Sequence, residues 1–127
     1  MLNARFPFTK VGKTYLGTIY RPYAKIKLSS EKVDEWIPVE VVVDTGADYT
    51  LLPRRYAFLL GIDLTTDCLP ETTLGVGGSE TIHLYKKGVK VKIGNWESSV
   101  PLGFLERDDV PPLLGRLKAL EVFDLTF

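Results

Sequence analysis

The sequence predicts an all-β protein, a single closed or sandwiched sheet carrying one or two short helices. Three observations carry that reading. Short β-branched or alternating apolar runs recur along the chain, as in Val41-Val42-Val43 and in Val89-Lys90-Val91-Lys92-Ile93. Glycine, proline and asparagine punctuate them, as at Gly77-Gly78, Gly94-Asn95 and Pro111-Pro112. Only residues 53–61 and 117–120 read as helical, and both stretches are short.

Composition sets the outer limits. A chain of 127 residues makes one domain that buries roughly two-thirds of its unfolded surface, so residues 1–127 are read as a single domain. The net charge is zero, which gives no overall basic field for nucleic acid or an anionic membrane. One cysteine, Cys68, excludes an internal disulfide and fits a reducing compartment. No segment approaches the ~18 apolar residues of a membrane helix. The N-terminus shows no signal-peptide core. A cytoplasmic protein is expected, with no cofactor and no metal.

In chain order, residues 15–28 alternate loosely, with Ile26 and Leu28 against Lys25 and Lys27, and Pro22 marks an edge or a bulge. Residues 29–35 are polar and read as a connection. Residues 36–43 form the next strand, giving a hairpin with a long loop. Residues 53–61 read as a short helix, with Pro53 suiting the first turn and Gly61 the C-terminal cap. Residues 62–71 are irregular. Residues 74–79, Leu74-Gly75-Val76-Gly77-Gly78-Ser79, lie between β-forming threonines and read as a hairpin tip. Strands are expected at 89–93, 96–100 and 102–105, followed by a loop over 107–112. The apolar run at 113–116 breaks at Gly115. Residues 117–120 look helical, and 122–127 alternate again with Phe123, Leu125 and Phe127 on one face.

The chemistry concentrates at Asp44-Thr45-Gly46, which ends the strand 36–43. A carboxylate at the end of an apolar strand is costly unless it is hydrogen-bonded or used. Gly46 lets the backbone approach the acid so that amide N–H groups can face its oxygens. Thr45 brings a hydroxyl that donates and accepts. At average composition this tripeptide arises at a given position on the order of once in several thousand. An ordinary turn is the competing reading. The Gly-rich tip read alone is an ordinary loop; it lacks the lysine and helix context of a phosphate cradle.

The order Val42-Val43-Asp44-Thr45-Gly46-Ala47, then a Gly-rich tip, then Leu113-Leu114-Gly115-Arg116 resembles the retropepsin-like aspartic proteases, which include the retroviral proteases and their cellular relatives. The resemblance spans roughly residues 36–127, and the first 30 or so residues lie outside it. The short helix after Leu52 is similar to that of cellular members. The resemblance implies a retropepsin-like barrel and an aspartic endopeptidase. Asp44, Thr45 and Gly46 would form the catalytic element. Ala47, Asp48 and the flap residues Gly75, Val76, Gly77 and Gly78 would contact substrate. Leu114, Gly115 and Arg116 would support the site, with Arg116 paired to Asp48.

Acid–base hydrolysis of a peptide needs one carboxyl as base and one as acid. Two close carboxyls sharing a proton meet both needs. The chain holds no second Asp-Thr-Gly or Asp-Ser-Gly: Asp63, Asp67 and Asp124 lack the following glycine. One chain thus supplies half a site, and a homodimer with one Asp44 per protomer is expected, its substrate an extended peptide. Ala47 offers no hydroxyl to the carboxylate, so an optimum less acid than that of pepsin-like enzymes is expected. The competing function is a non-cleaving peptide-binding or assembly module on the same fold. His83 reads as a satisfied or surface histidine and Cys68 as incidental. Lys86-Lys87 and Asp108-Asp109 read as solvated loop ends, and Arg54-Arg55 as the solvent face of the helix.

Overall fold

A computed structural model describes residues 5–75 and 77–126. Alternation of apolar and charged residues builds its first core strands. In β3 (Tyr23–Ser29) Ala24, Ile26 and Leu28 turn inward while Lys25 and Lys27 face water. It pairs antiparallel with β4 (Ile37–Val43), which buries Val39 and Val41. β-Branched side chains suit this half-buried pleated surface. The chain then crosses to the short β5 (Thr50–Leu52) and the helix α1 (Arg54–Leu59), which starts after Pro53 and stops before Gly61 at φ +70°. Loop 106–109 meets the start of that helix: the Arg55 N–H donates to Asp108 Oδ1 at 2.8 Å.

A hairpin of β6 (Leu69–Gly75) and β7 (Gly78–Ile93) follows, closing at the pair Gly75–Gly78. β7 turns at Gly94-Asn95 into β8 (Trp96–Leu105). β9 (Leu113–Leu114) lies parallel to β4 and antiparallel to β5, so it inserts between two strands that are neighbours in sequence. The sheet runs β3-β4-β9-β5-β8-β7-β6, and a further β3–β7 pairing brings it round on itself, leaving β6 outside. The result is a partly closed all-β barrel around a core that includes Leu28, Val41, Leu52, Tyr85, Val91, Leu102 and Phe104. Burying each of these large side chains contributes roughly 1.5–3 kcal/mol.

Several local expectations are corrected. Residues 15–28 are not one strand: Pro22 separates β3 from β2 (Gly17–Arg21), which among the described residues pairs only with β1 (Thr9–Thr14) as a separate hairpin. Residues 96–105 are one strand, not two, because Pro101 falls opposite an irregularity in the ladder between Tyr85 and Val89 where its missing N–H is not needed. Lys86 and Lys87 lie at that irregularity, inside β7 and not at a loop end. The end of the irregular stretch 62–71 already belongs to β6. Residues 117–120 hold a turn, and the helical piece is a 3-10 turn at Leu120–Val122. No strand forms over residues 122–126: Phe123 leaves the alternation to pack edge-on against Trp96, ring centres 5.1 Å apart. Val76 and Phe127 fall outside the described residues, so the readings placed on them are not described.

Candidate active site

Asp44 stands one residue beyond β4, where the strand register delivers it to the seam with β9. Val42 and Val43 pair with Leu113 and Leu114, and the Asp44 N–H donates to the Leu114 carbonyl at 3.0 Å. That bond fixes the backbone of the acid from the neighbouring strand. The carboxylate is fixed from its own turn, because Oδ1 accepts the Gly46 N–H at 2.9 Å. The Ala47 N–H donates to the Asp44 carbonyl at 3.2 Å and closes the turn. A side chain at position 46 would begin 3.3 Å from Asp44 Oδ1, so the glycine leaves the carboxylate its place beside the backbone.

The loop 44–49 is fastened again by the segment after β9. The Arg116 N–H donates to the Ala47 carbonyl at 3.0 Å, and the Leu117 N–H to the Asp48 carbonyl at 2.9 Å. Thr50 is fully buried, and its hydroxyl accepts the Gly115 N–H at 3.1 Å. Gly115 admits no substitute here, since a Cβ would stand 2.2 Å from the Tyr49 carbonyl oxygen. Leu114, buried against the core, supplies the carbonyl that holds Asp44. The expected Asp48–Arg116 pair is formed between Asp48 Oδ1 and an Arg116 guanidinium nitrogen. Both side chains are more than half exposed, so the pair is worth at most about 1 kcal/mol to stability. It sits instead at the rim of an open cavity of about 470 Å³ lined by Asp48, Tyr49, Arg116, Leu117 and Glu121.

The structure thus gathers Asp44, Gly46, Ala47, Asp48, Leu114, Gly115 and Arg116 into one hydrogen-bonded unit. Thr45 is exposed at its outer edge. The glycine tip belongs to a different element: Gly77 and Gly78 line a cavity of about 290 Å³ with Thr73, Ser79, Glu80 and Arg107. Gly75 closes the hairpin against Gly78. Thr50 was missed as a site residue. The signal available was a lone hydroxyl between the acid and the apolar Leu51-Leu52, where a polar side chain has to find a partner.

The remaining titratable residues do other things. His83 Nε2 lies 2.8 Å from Glu106 Oε1, while its Nδ1 is buried with no hydrogen-bond partner among the described residues. Cys68 is buried, and burial pushes its thiol up to about 11, which makes it a poor nucleophile. Asp67 is held below the usual carboxylate range by its bond to Lys32 and by the Asp63 N–H. Asp63 is lowered by the N–H groups of Thr66 and Thr65. Among the described residues, no group of three His, Cys, Asp or Glu side chains is placed to hold a metal ion. Among the same residues, no helix is long and apolar enough to cross a membrane.

A family model described as aspartyl protease matches residues 31–116, which includes every strand from β4 to β9. Comparison with curated proteins finds no match.

Proposed function

The chain belongs to the aspartyl protease family, and on that premise we propose a homodimeric aspartic endopeptidase whose two Asp44 carboxyls, one from each protomer, activate a single water. The observation that carries this reading is an acid held at a strand end by the Leu114 carbonyl and the Gly46 N–H in a chain with one such motif. Two carboxyls brought together on a two-fold axis share one proton, because neither ionises freely beside the other. The ionised carboxyl takes a proton from the water as its oxygen attacks the scissile carbonyl carbon. The protonated carboxyl gives its proton to the carbonyl oxygen. The resulting tetrahedral species collapses as the nitrogen gains a proton and leaves as the amine.

The other roles follow from position. Thr45, exposed beside the acid, braces the dyad across the axis. Asp48, with its carboxylate set by Arg116, binds the substrate main chain, and Ala47 faces the same strand of peptide. The tip at Gly75, Val76, Gly77 and Gly78 is the flap that covers an extended substrate and excludes water. With Ala47 offering no hydroxyl, the optimum lies above about pH 3, less acid than that of the pepsin dyad. No cofactor or metal takes part in this reading. The single thiol, with no second cysteine to bridge, suits a reducing compartment, and we place the enzyme in the cytoplasm.

Digestion of a broad peptide library by wild type and by Asp44→Asn, with both sized by sedimentation, tests the proposal. Cleavage by the wild-type dimer and its loss in a dimeric Asp44→Asn supports it. A dimer that binds peptides but cuts none between pH 3 and 7 identifies a binding module instead.

A further inference from the structure

The hairpin of β1 and β2 stands apart from the barrel. Among the described residues its strands pair only with each other, every residue of β2 is exposed, and so are Val11, Tyr15 and Leu16. An isolated two-stranded hairpin is marginal in water, and a concentrated exposed apolar surface marks a contact. Charge separates the same region. The hairpin carries Lys10, Lys13 and Arg21 and no acid; with Arg5, residues 1–21 hold four basic residues, so residues 22–127 carry a net charge of −4 within a neutral chain.

The root of the hairpin lies beside the acid. Tyr23 pairs with Val42, and the Pro22 carbonyl accepts the Val43 N–H at 2.8 Å, one residue before Asp44. If two Asp44 carboxyls meet on a two-fold axis, both hairpins spring from that axis. Strands of this length span roughly 20 Å, enough to extend over a neighbouring protomer.

We propose that this hairpin is an arm by which each protomer grips the other: its basic, apolar surface packs on the acidic body of a second copy, reciprocally across the two-fold axis. The inference rests on the dimer of the proposed function and adds to it the surface that holds the dimer together. The partner is a second copy because the complementary charge lies in the same chain and the arm starts at the dyad.

Sedimentation of wild type, of Tyr15→Ser/Leu16→Ser and of Lys10→Glu/Lys13→Glu tests it. Each variant is expected to raise the dimer dissociation constant roughly tenfold or more, the scale of removing an interface anchor. Added salt is expected to weaken the wild-type dimer. The circular dichroism of each variant should stay that of wild type, since the altered side chains are exposed. In a second measurement, a photo-crosslinker at position 15 should join two chains through residues beyond 30. If both variants dimerise as tightly as wild type and still cleave peptide, the arm inference fails while the protease reading stands. A wild type that cleaves as a monomer removes the dimer and the arm together. Arm-dependent binding to vesicles of phosphatidylcholine and phosphatidylserine, with dimerisation unchanged, overturns the inference in favour of a membrane surface.

Discussion

The seam of β4, β9 and β5 and the hairpin of β1 and β2 treat their polar and apolar groups in opposite ways. At the seam, Asp44, Ala47, Asp48 and Thr50 are tied by five bonds to residues 114–117, and the apolar residues behind them are buried. On the hairpin, Tyr15 and Leu16 face water and the strands have no third neighbour among the described residues. The seam is built to hold one carboxylate in one place, which acid–base chemistry demands. The hairpin adds nothing comparable to the core, so its surface is available for contact with another molecule. A single chain can therefore keep its site rigid and still expose apolar surface, provided the two tasks fall on different strands.

Breaking the seam should have the largest effect. In Gly115→Ala the new methyl would overlap the Tyr49 carbonyl, and overpacking of this kind costs about 3 kcal/mol. Urea denaturation should show a lower midpoint with an unchanged slope. Thr50→Val removes the acceptor of the buried Gly115 N–H, and an unsatisfied buried donor costs about 2 kcal/mol. The same denaturation series should place it between Gly115→Ala and wild type.

A smaller effect lies outside both regions, in the loop carrying Asp63 and Asp67. Their carboxyls are lowered in the folded state, Asp67 by Lys32 first and Asp63 by the Thr66 N–H first. Such groups add stability above the unfolded carboxylate value near 3.9, and it disappears as pH falls through the lowered folded value. Thermal melting should therefore drop as pH is taken from 5 to 3, and Asp67→Asn should flatten that drop. The smallest effect is expected on the hairpin: Leu16→Ser, at a fully exposed turn, should change protomer stability by no more than about 0.5 kcal/mol. A large loss there would mean the hairpin supports the barrel, and the contrast would fail.

The seam was the more legible of the two regions. The run Val41-Val42-Val43 before Asp44-Thr45-Gly46 signals strand and turn by local chemistry, and Pro53 and Gly61 bound the helix in the same way. The Asp48–Arg116 pair came from resemblance, since 68 residues separate its partners. What escaped depended on tertiary partners. The β1 sequence, Thr9-Lys10-Val11-Gly12-Lys13-Thr14, has almost no apolar alternation to announce a strand. Pro101 reads as a strand break, and only the ladder irregularity opposite explains why β8 continues through it. At the C-terminus Phe123 follows Trp96 and not the period-two pattern of its neighbours. The clasp between Thr50 and Gly115 is invisible in sequence because β9 arrives from far along the chain.

The central claim, one acid per protomer in a shared site, is tested most directly by mixing wild type with Asp44→Asn, allowing the subunits to exchange, and following peptide cleavage against composition. Replacing the carboxyl in both halves should reduce kcat on the order of 10⁴-fold. A dyad needs both acids, so activity in the mixtures should follow the square of the wild-type fraction. A linear dependence would mean that each chain cleaves by itself, and would contradict the account.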